Sequence, residues 1–422
     1  MFFSLLAKEC KQILKSVIFY LYLIILAVFV TSQIEEYSLV TKPQPGQESY
    51  GMKESSDPRE IMQATAGKLL IDWHNNSYAT YPIGFYKGVS LDEEEYSRVA
   101  EILEEVTGRT ESELTDELEA DNSQTVKQTQ PGTVMPPMSG RIEEVSDTMT
   151  YEQFKLLMKE VDSILGANGT SYYAPEKMAK NAMVPMTYEE ALSEYQQIID
   201  VDHVTGAFAR IFCDYMVLML AILPVFLAVT RGLRDRRAGA SGLIYSRKAS
   251  SVSIVLSRYF ATLVMSMVPV IILSISPMME GIYYARTLGV PTDVFSYMKY
   301  IVGWLLPTAM AVVSIGFFFT ELTDSALGIL IQGIWWFIDI NSAVRSGLVG
   351  AFGFHLAPRW NTVGESAKFI SEFQSLLTNR IFYSVLAVVL LILTIFIYEW
   401  KRKGVWKFNG IVYRSGKSKS KA

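Results

Sequence analysis

The chain has 422 residues and a net charge of −5; half of its residues are apolar and 19% are charged. Mean hydropathy is +0.22. Such a composition is too apolar for an ordinary soluble protein, gives no sign of a nucleic-acid partner and points to a membrane class.

A helical span needs about 20 mostly apolar residues, because lipid offers nothing to hydrogen-bond a bare backbone. Six segments qualify: 16–34, 209–229, 258–277, 299–320, 324–340 and 381–399, the fifth being the shortest. The expected fold is a mainly α membrane protein with six transmembrane helices and a large extracytoplasmic domain inserted between spans one and two.

Residues 1–15 read as an interfacial helix. Phe2, Phe3, Leu6, Ile13 and Leu14 can face lipid, while Lys8, Lys11 and Lys15 face headgroups. Glu9 is out of place in the charged start of a signal peptide, and no A-x-A site follows the first span, so an uncleaved helix is expected. Cys10 and Cys213 fall near opposite faces of the membrane and are expected to stay unpaired.

The domain expected over 35–208 is acidic. Gln33 to Thr205 carries 32 acidic and 13 basic residues, a net of −19 within a chain whose total is −5. A Pro, Gly and Ser-rich loop at 42–58 precedes a helix over 90–118, whose acidic run 92–95 suits its N-terminus. A polar linker at 119–141 follows, and then helices over 150–165 and 187–200. "TYEQ" and "TYEE" open these two with the spacing of a capping box. The last helix is expected to run on into span two, with Gly206 as its place to bend.

Lys and Arg close to spans stay preferentially in the cytoplasm. Lysines precede the first span, and the tail 400–422 is strongly basic, so both ends read as cytoplasmic. The loop 230–257 between spans two and three then lies inside as well. Its stretch Thr230 to Ser251 holds six Arg or Lys and one Asp. Near the outer end of span two stand Arg210 and Asp214, with Met216 and Met219 beyond them; Trp335, Trp336 and Asp339 close span five. Anchoring and packing are one reading of these residues, a translocation path the other. The segment 341–380 is expected outside as re-entrant or interfacial helices, or else as a buried helix of a small outer subdomain.

Chemistry is hard to find. His74, His203 and His355 are scattered, with no metal-ligand spacing and no nucleophile elbow. "GIVYRSGKS" has five residues between its glycines where a phosphate loop has four. No catalysis, cofactor or metal is expected of this chain.

In this order of elements the chain resembles a membrane subunit of the ABC-2 class of ATP-binding cassette exporters. The sharpest local likeness is Asp235-Arg236-Arg237-Ala238-Gly239, similar to the Glu-Arg-x-x-Gly that the class often carries after its second span, followed here by Leu243, Ile244 and Ser250 to Arg258. Thr378 to Gly404 looks like the last span of the class. The resemblance implies a permease that dimerises with a second copy or a paralogue in a lipid membrane. It also implies a coupling loop, with Arg234 at its edge, that docks on a cytoplasmic ATPase subunit holding ATP and Mg. Asp235 would contact a groove of that subunit, Arg236 and Arg237 its acidic rim, and Gly239 would allow the turn. A non-transport sensor that signals through span two is the alternative.

The topology is directly testable: a cysteine placed in the stretch Thr230 to Ser251 should resist an impermeant thiol reagent in intact cells and react after lysis. Labelling from outside would overturn it.

Overall fold

The computed structural model describes residues 2–33, 40–82, 86–118, 141–345 and 348–405. The linker at 119–140 and the basic tail beyond 405 lie outside them. In chain order the helices are α1 Phe2–Ile13, α2 Val17–Gln33, α3 Pro58–His74, α4 Glu93–Thr107, α5 Tyr151–Ile164, α6 Pro175–Asn181, α7 Tyr188–Asp200, α8 Thr205–Leu220 and α9 Pro224–Arg237. They continue with α10 Ser241–Tyr245, α11 Ser251–Leu273, α12 Ile275–Thr287, α13 Ser296–Tyr300, a π-helical turn Ile301–Leu305, α14 Leu306–Thr323, α15 Leu327–Arg345 and α16 Ser366–Arg402. Six short strands pair as antiparallel hairpins or ladders: β1 Met52–Glu54 with β4 Met183–Pro185, β2 Tyr78–Thr80 with β3 Lys87–Val89, and β5 Val349–Ala351 with β6 Arg359–Trp360. The chain divides into two compact units, Lys42–Ser193 and the remainder.

The unit Lys42–Ser193 is built around α3. Asp57 caps its first turn by accepting from the amides of Arg59 and Glu60, and Pro58 occupies the first position, where no amide is needed. Ile61, Met62, Ala66, Leu69, Leu70 and Trp73 are all buried, on several sides of the helix. That is why its sequence shows no 3.6-residue stripe and was not foreseen as a helix. Gly67 is required by contact: a Cβ there would stand 2.1 Å from the carbonyl oxygen of Arg141.

Other expectations for this unit meet local physics. Asp92 and Glu95 form a capping box at the start of α4. The helix stops at Gly108, which takes φ +73°, so the single helix expected over 90–118 is two, with residues 111–118 helical again. Thr150 and Gln153 cap α5 reciprocally, and Thr187 and Glu190 do the same for α7. The buried Asp162 carboxylate accepts from the Gly169 and Ser171 amides at 2.6 and 3.2 Å, which fastens the loop after α5.

The other unit is a helical bundle. Four of its helical stretches are long and apolar enough to cross a membrane: Thr205–Arg237, Ser251–Thr287, Ser296–Thr323 and Ser366–Arg402. The pair α1 and α2, bent by 71°, would supply a fifth, and α15 is shorter in its apolar part. α14 is central and packs on α9, α11, α15 and α16. Glycines let these helices close up: a Cβ at Gly316 would meet Ala228 at 2.7 Å, and one at Gly232 would meet Thr320 at 2.8 Å.

Two expectations change here. The helix expected to pass from 187 into span two is interrupted between Asp200 and Thr205, where His203 and Val204 take positive φ, rather than bending at Gly206. The segment 341–380 is not a set of re-entrant helices. It holds the end of α15, the β5–β6 hairpin and the first four turns of α16, because Gly350 at φ +79° and Pro358 suit a turn and not a helix.

Gly67→Ala should lower stability by about 1–3 kcal/mol through overpacking, read as a drop in thermal unfolding midpoint. Gly242→Ala, where a Cβ meets no atom within 4 Å, serves as the neutral control.

Candidate functional site

The basic stretch lies at one end of the bundle. α9 opens with Pro224 and closes with Arg234, Arg236 and Arg237 in its last turn, where cations favour the helix C-terminus. Gly239 follows at φ +64°, the turn expected of it. Arg231 and Asp235, one turn apart, sit on the inner side of the helix and bond at 3.3 Å.

The Arg231 guanidinium grips the Glu9 carboxylate of α1 with two nitrogens, Nη2 donating to Oε1 at 2.6 Å. Arg258 of α11 donates to the other Asp235 oxygen, lies 3.8 Å from Glu9 and stacks over the Tyr398 ring of α16. Two guanidiniums and two carboxylates thus form a neutral cluster that joins α1, α9 and α11. Burying either charge alone would be costly; together they satisfy one another.

A second cluster lies beside it. Arg236 pairs with Glu321 and Asp324 at the end of α14 and donates to the Thr320 carbonyl at 3.1 Å. Lys401 of α16 reaches Asp324 at 2.5 Å. The neighbouring Arg402 donates to the carbonyls of Tyr245, Arg247 and Ala249 at 3.0, 2.7 and 2.7 Å, pinning the loop after α10. Arg234, Arg237, Arg247 and Lys248 remain exposed on the outside of this scaffold, with Leu243 63% exposed among them.

The residues expected to act together therefore divide. Asp235 and Arg236 turn inward and are committed to partners in their own chain, Arg234 and Arg237 face solvent, and Gly239 makes the turn. Glu9, Arg231, Glu321, Asp324, Lys401 and Arg402 were not foreseen as members. A faint signal existed in the unusual Glu9 and in the Arg231–Asp235 spacing of one helical turn.

At the far end the expected path residues also find partners. Asp214, fully buried, takes two hydrogen bonds from Arg359 at 2.9 and 2.8 Å and a third from the Trp360 amide at 2.5 Å. Its expected neighbour Arg210 turns the other way and holds Asp202 with two nitrogens. Asp339 accepts from the Leu356 and Ala357 amides at 3.0 and 2.9 Å. Asn379 donates to the carbonyls of Phe352, Gly353 and His355. The β5–β6 hairpin is thereby stitched to α8, α15 and α16.

Between the two ends, the break before Pro224 frees backbone carbonyls, and α15 covers two of them. Gln332 donates to Ala221 at 2.6 Å and Trp336 to Leu218 at 2.9 Å. Met216 is buried, Met219 packs beside the core, and the Trp335 ring lies 6.4 Å from Tyr383. All six residues set down for a path thus serve packing or pairing within the chain. Among the described residues no group of three His, Cys, Asp or Glu could hold a metal. No protein-family model, curated protein or solved structure matches the chain.

Asp214→Ala should destabilise by about 3–5 kcal/mol, since it strands a buried guanidinium. Adding Arg359→Leu should recover part of that loss in thermal unfolding. Two neutral single variants would show that the pair does not hold the hairpin.

Proposed function

We propose that the chain is the permease subunit of an ATP-binding cassette exporter, in which a separate ATPase subunit hydrolyses ATP and two permease subunits pass substrate between them. One observation carries this reading. The exposed basic loop is anchored by ion pairs and carbonyl bonds to α1, α11, α14 and α16, so a push on it is delivered to most of the bundle at once. A loop held only by its own backbone would absorb such a push.

On this reading the spans number six: α2, α8–α9, α11–α12, α13–α14, α15 and α16. α15, with 19 residues, is about 28 Å long, close to the hydrocarbon thickness of about 30 Å. The excess of Lys and Arg at the basic end orients that end toward the cytoplasm and the unit Lys42–Ser193 toward the outside. ATP and Mg belong to the partner. A second copy or a paralogue completes the path, with exposed apolar faces on α2 and α15 available to it or to lipid.

The docking roles are reassigned within the loop. Arg234, Arg237, Arg247 and Lys248 meet the acidic rim of the ATPase, and Leu243 enters its groove. Asp235 and Arg236 form the joint behind them. Several rim charges acting together set register and resist rupture better than one exposed pair. A sensor signalling through span two needs a stiff helix across 200–208, and the left-handed His203 and Val204 interrupt it.

The test pairs this chain with a soluble Walker-motif ATPase, expected to be encoded next to it. Arg237→Glu with Arg247→Glu should weaken their association at least tenfold and leave thermal unfolding unchanged, whereas Asp235→Lys should lower the unfolding midpoint. Association that survives the double reversal, or ATP hydrolysis by the purified chain alone, would refute the reading.

A further inference from the structure

Near the far end of the bundle lies a cavity of about 400 Å³, within the range of about 300–1,000 Å³ of small-molecule sites. The connection into the start of α8 (Val201 to Gly206) and the segment from Asp293 through α13, which adds Lys299, form part of its wall, and two helical faces complete it. One carries Gly303 and Trp304 on the π-helical turn; the other carries Phe373, Leu376, Leu377 and Arg380 on α16, at a spacing that places all four on one side of the helix. π-helical turns of this kind occur often at functional sites. The residue that it brings to the wall is a glycine facing open space: a Cβ at Gly303 would meet no atom within 4 Å.

Two lining residues have requirements that the chain leaves unmet. Trp304 is 1% exposed, and its indole N–H has no acceptor among the described residues. A buried donor in that condition is unfavourable. Arg380, 4% exposed, gives its N–H groups to neutral acceptors only: the Trp304 carbonyl at 2.8 Å, the Thr308 hydroxyl at 2.7 Å, the Asn379 side-chain oxygen and the His355 and Leu356 carbonyls, both at 3.4 Å. Two carboxylates, Asp202 and Asp293, line the cavity, and they and Asp339 are already engaged. Asp202 is held by Arg210, Asp293 by Lys299, and Asp339 accepts from two hairpin amides. A guanidinium kept in such a place without a direct ion pair is stabilised by an anion that comes within its field.

We propose that the cavity binds an amphiphilic anion. Its phosphate or carboxylate head lies in the field of Arg380, and its apolar body lies against Phe373, Leu376 and Leu377. Binding of this kind does not depend on transport, nor on any partner subunit.

The experiment uses the full chain in an uncharged maltoside detergent, with thermal unfolding followed as ligand is titrated. Decyl phosphate should raise the midpoint, while decyltrimethylammonium and inorganic phosphate should not. Gly303→Leu, whose Cβ meets no atom within 4 Å, places a branched side chain at the cavity wall, so it should keep its own midpoint and lose the decyl phosphate shift. Arg380→Gln should weaken the apparent affinity at least tenfold; if that variant does not fold, Gly303→Leu decides alone. An undiminished shift in Gly303→Leu would overturn the site. An equal response to the ammonium compound would overturn the anionic half, and an equal response to inorganic phosphate the apolar half.

Discussion

A charge inside an apolar bundle is costly unless an opposite charge or a full set of hydrogen bonds meets it, and at both ends of this bundle opposite charges are paired. The Glu9–Arg231–Asp235–Arg258 cluster closes one end, and Asp214 with Arg359 closes the other. Each brings together segments far apart in the chain. Each also fixes register, because a guanidinium fork matches a carboxylate in few orientations. The rest of the helical unit is arranged between these two fastenings.

The middle of the bundle is held differently. Pro224 denies the chain a continuous helix, and the carbonyls it releases could not stay bare in lipid. Gln332 and Trp336 supply the missing donors, which commits α15 to the break. Small residues do the remaining work: Gly232, Gly316 and Gly328 let α9, α14 and α15 approach until backbone and methyl groups touch. Polar bonds thus set which helices are neighbours, and the glycines set how near they come.

The basic loop is bound into the bundle by part of its own charge. Its charges separate by direction. Those facing inward bind it to the bundle, and those facing outward are exposed, Arg234 also donating to Gln12. A transport cycle driven from that loop would reach the far hairpin through α9 and α8, whose Asp214 grips Arg359.

Hydropathy alone located the apolar helices, and the Lys and Arg distribution singled out the basic loop, because both are properties of local composition. Capping boxes at Thr150 and Thr187 and the turn at Gly239 were also legible, since each depends on a few adjacent residues. The tertiary structure decided what locality cannot reach. α3, apolar on several sides, has no stripe to read. The hairpin over 349–360 follows from carboxylates donated by distant helices. Whether Asp235 and Arg236 face a partner or their own chain depends on Arg258, Glu321 and Asp324, and only folding brings these within bonding distance.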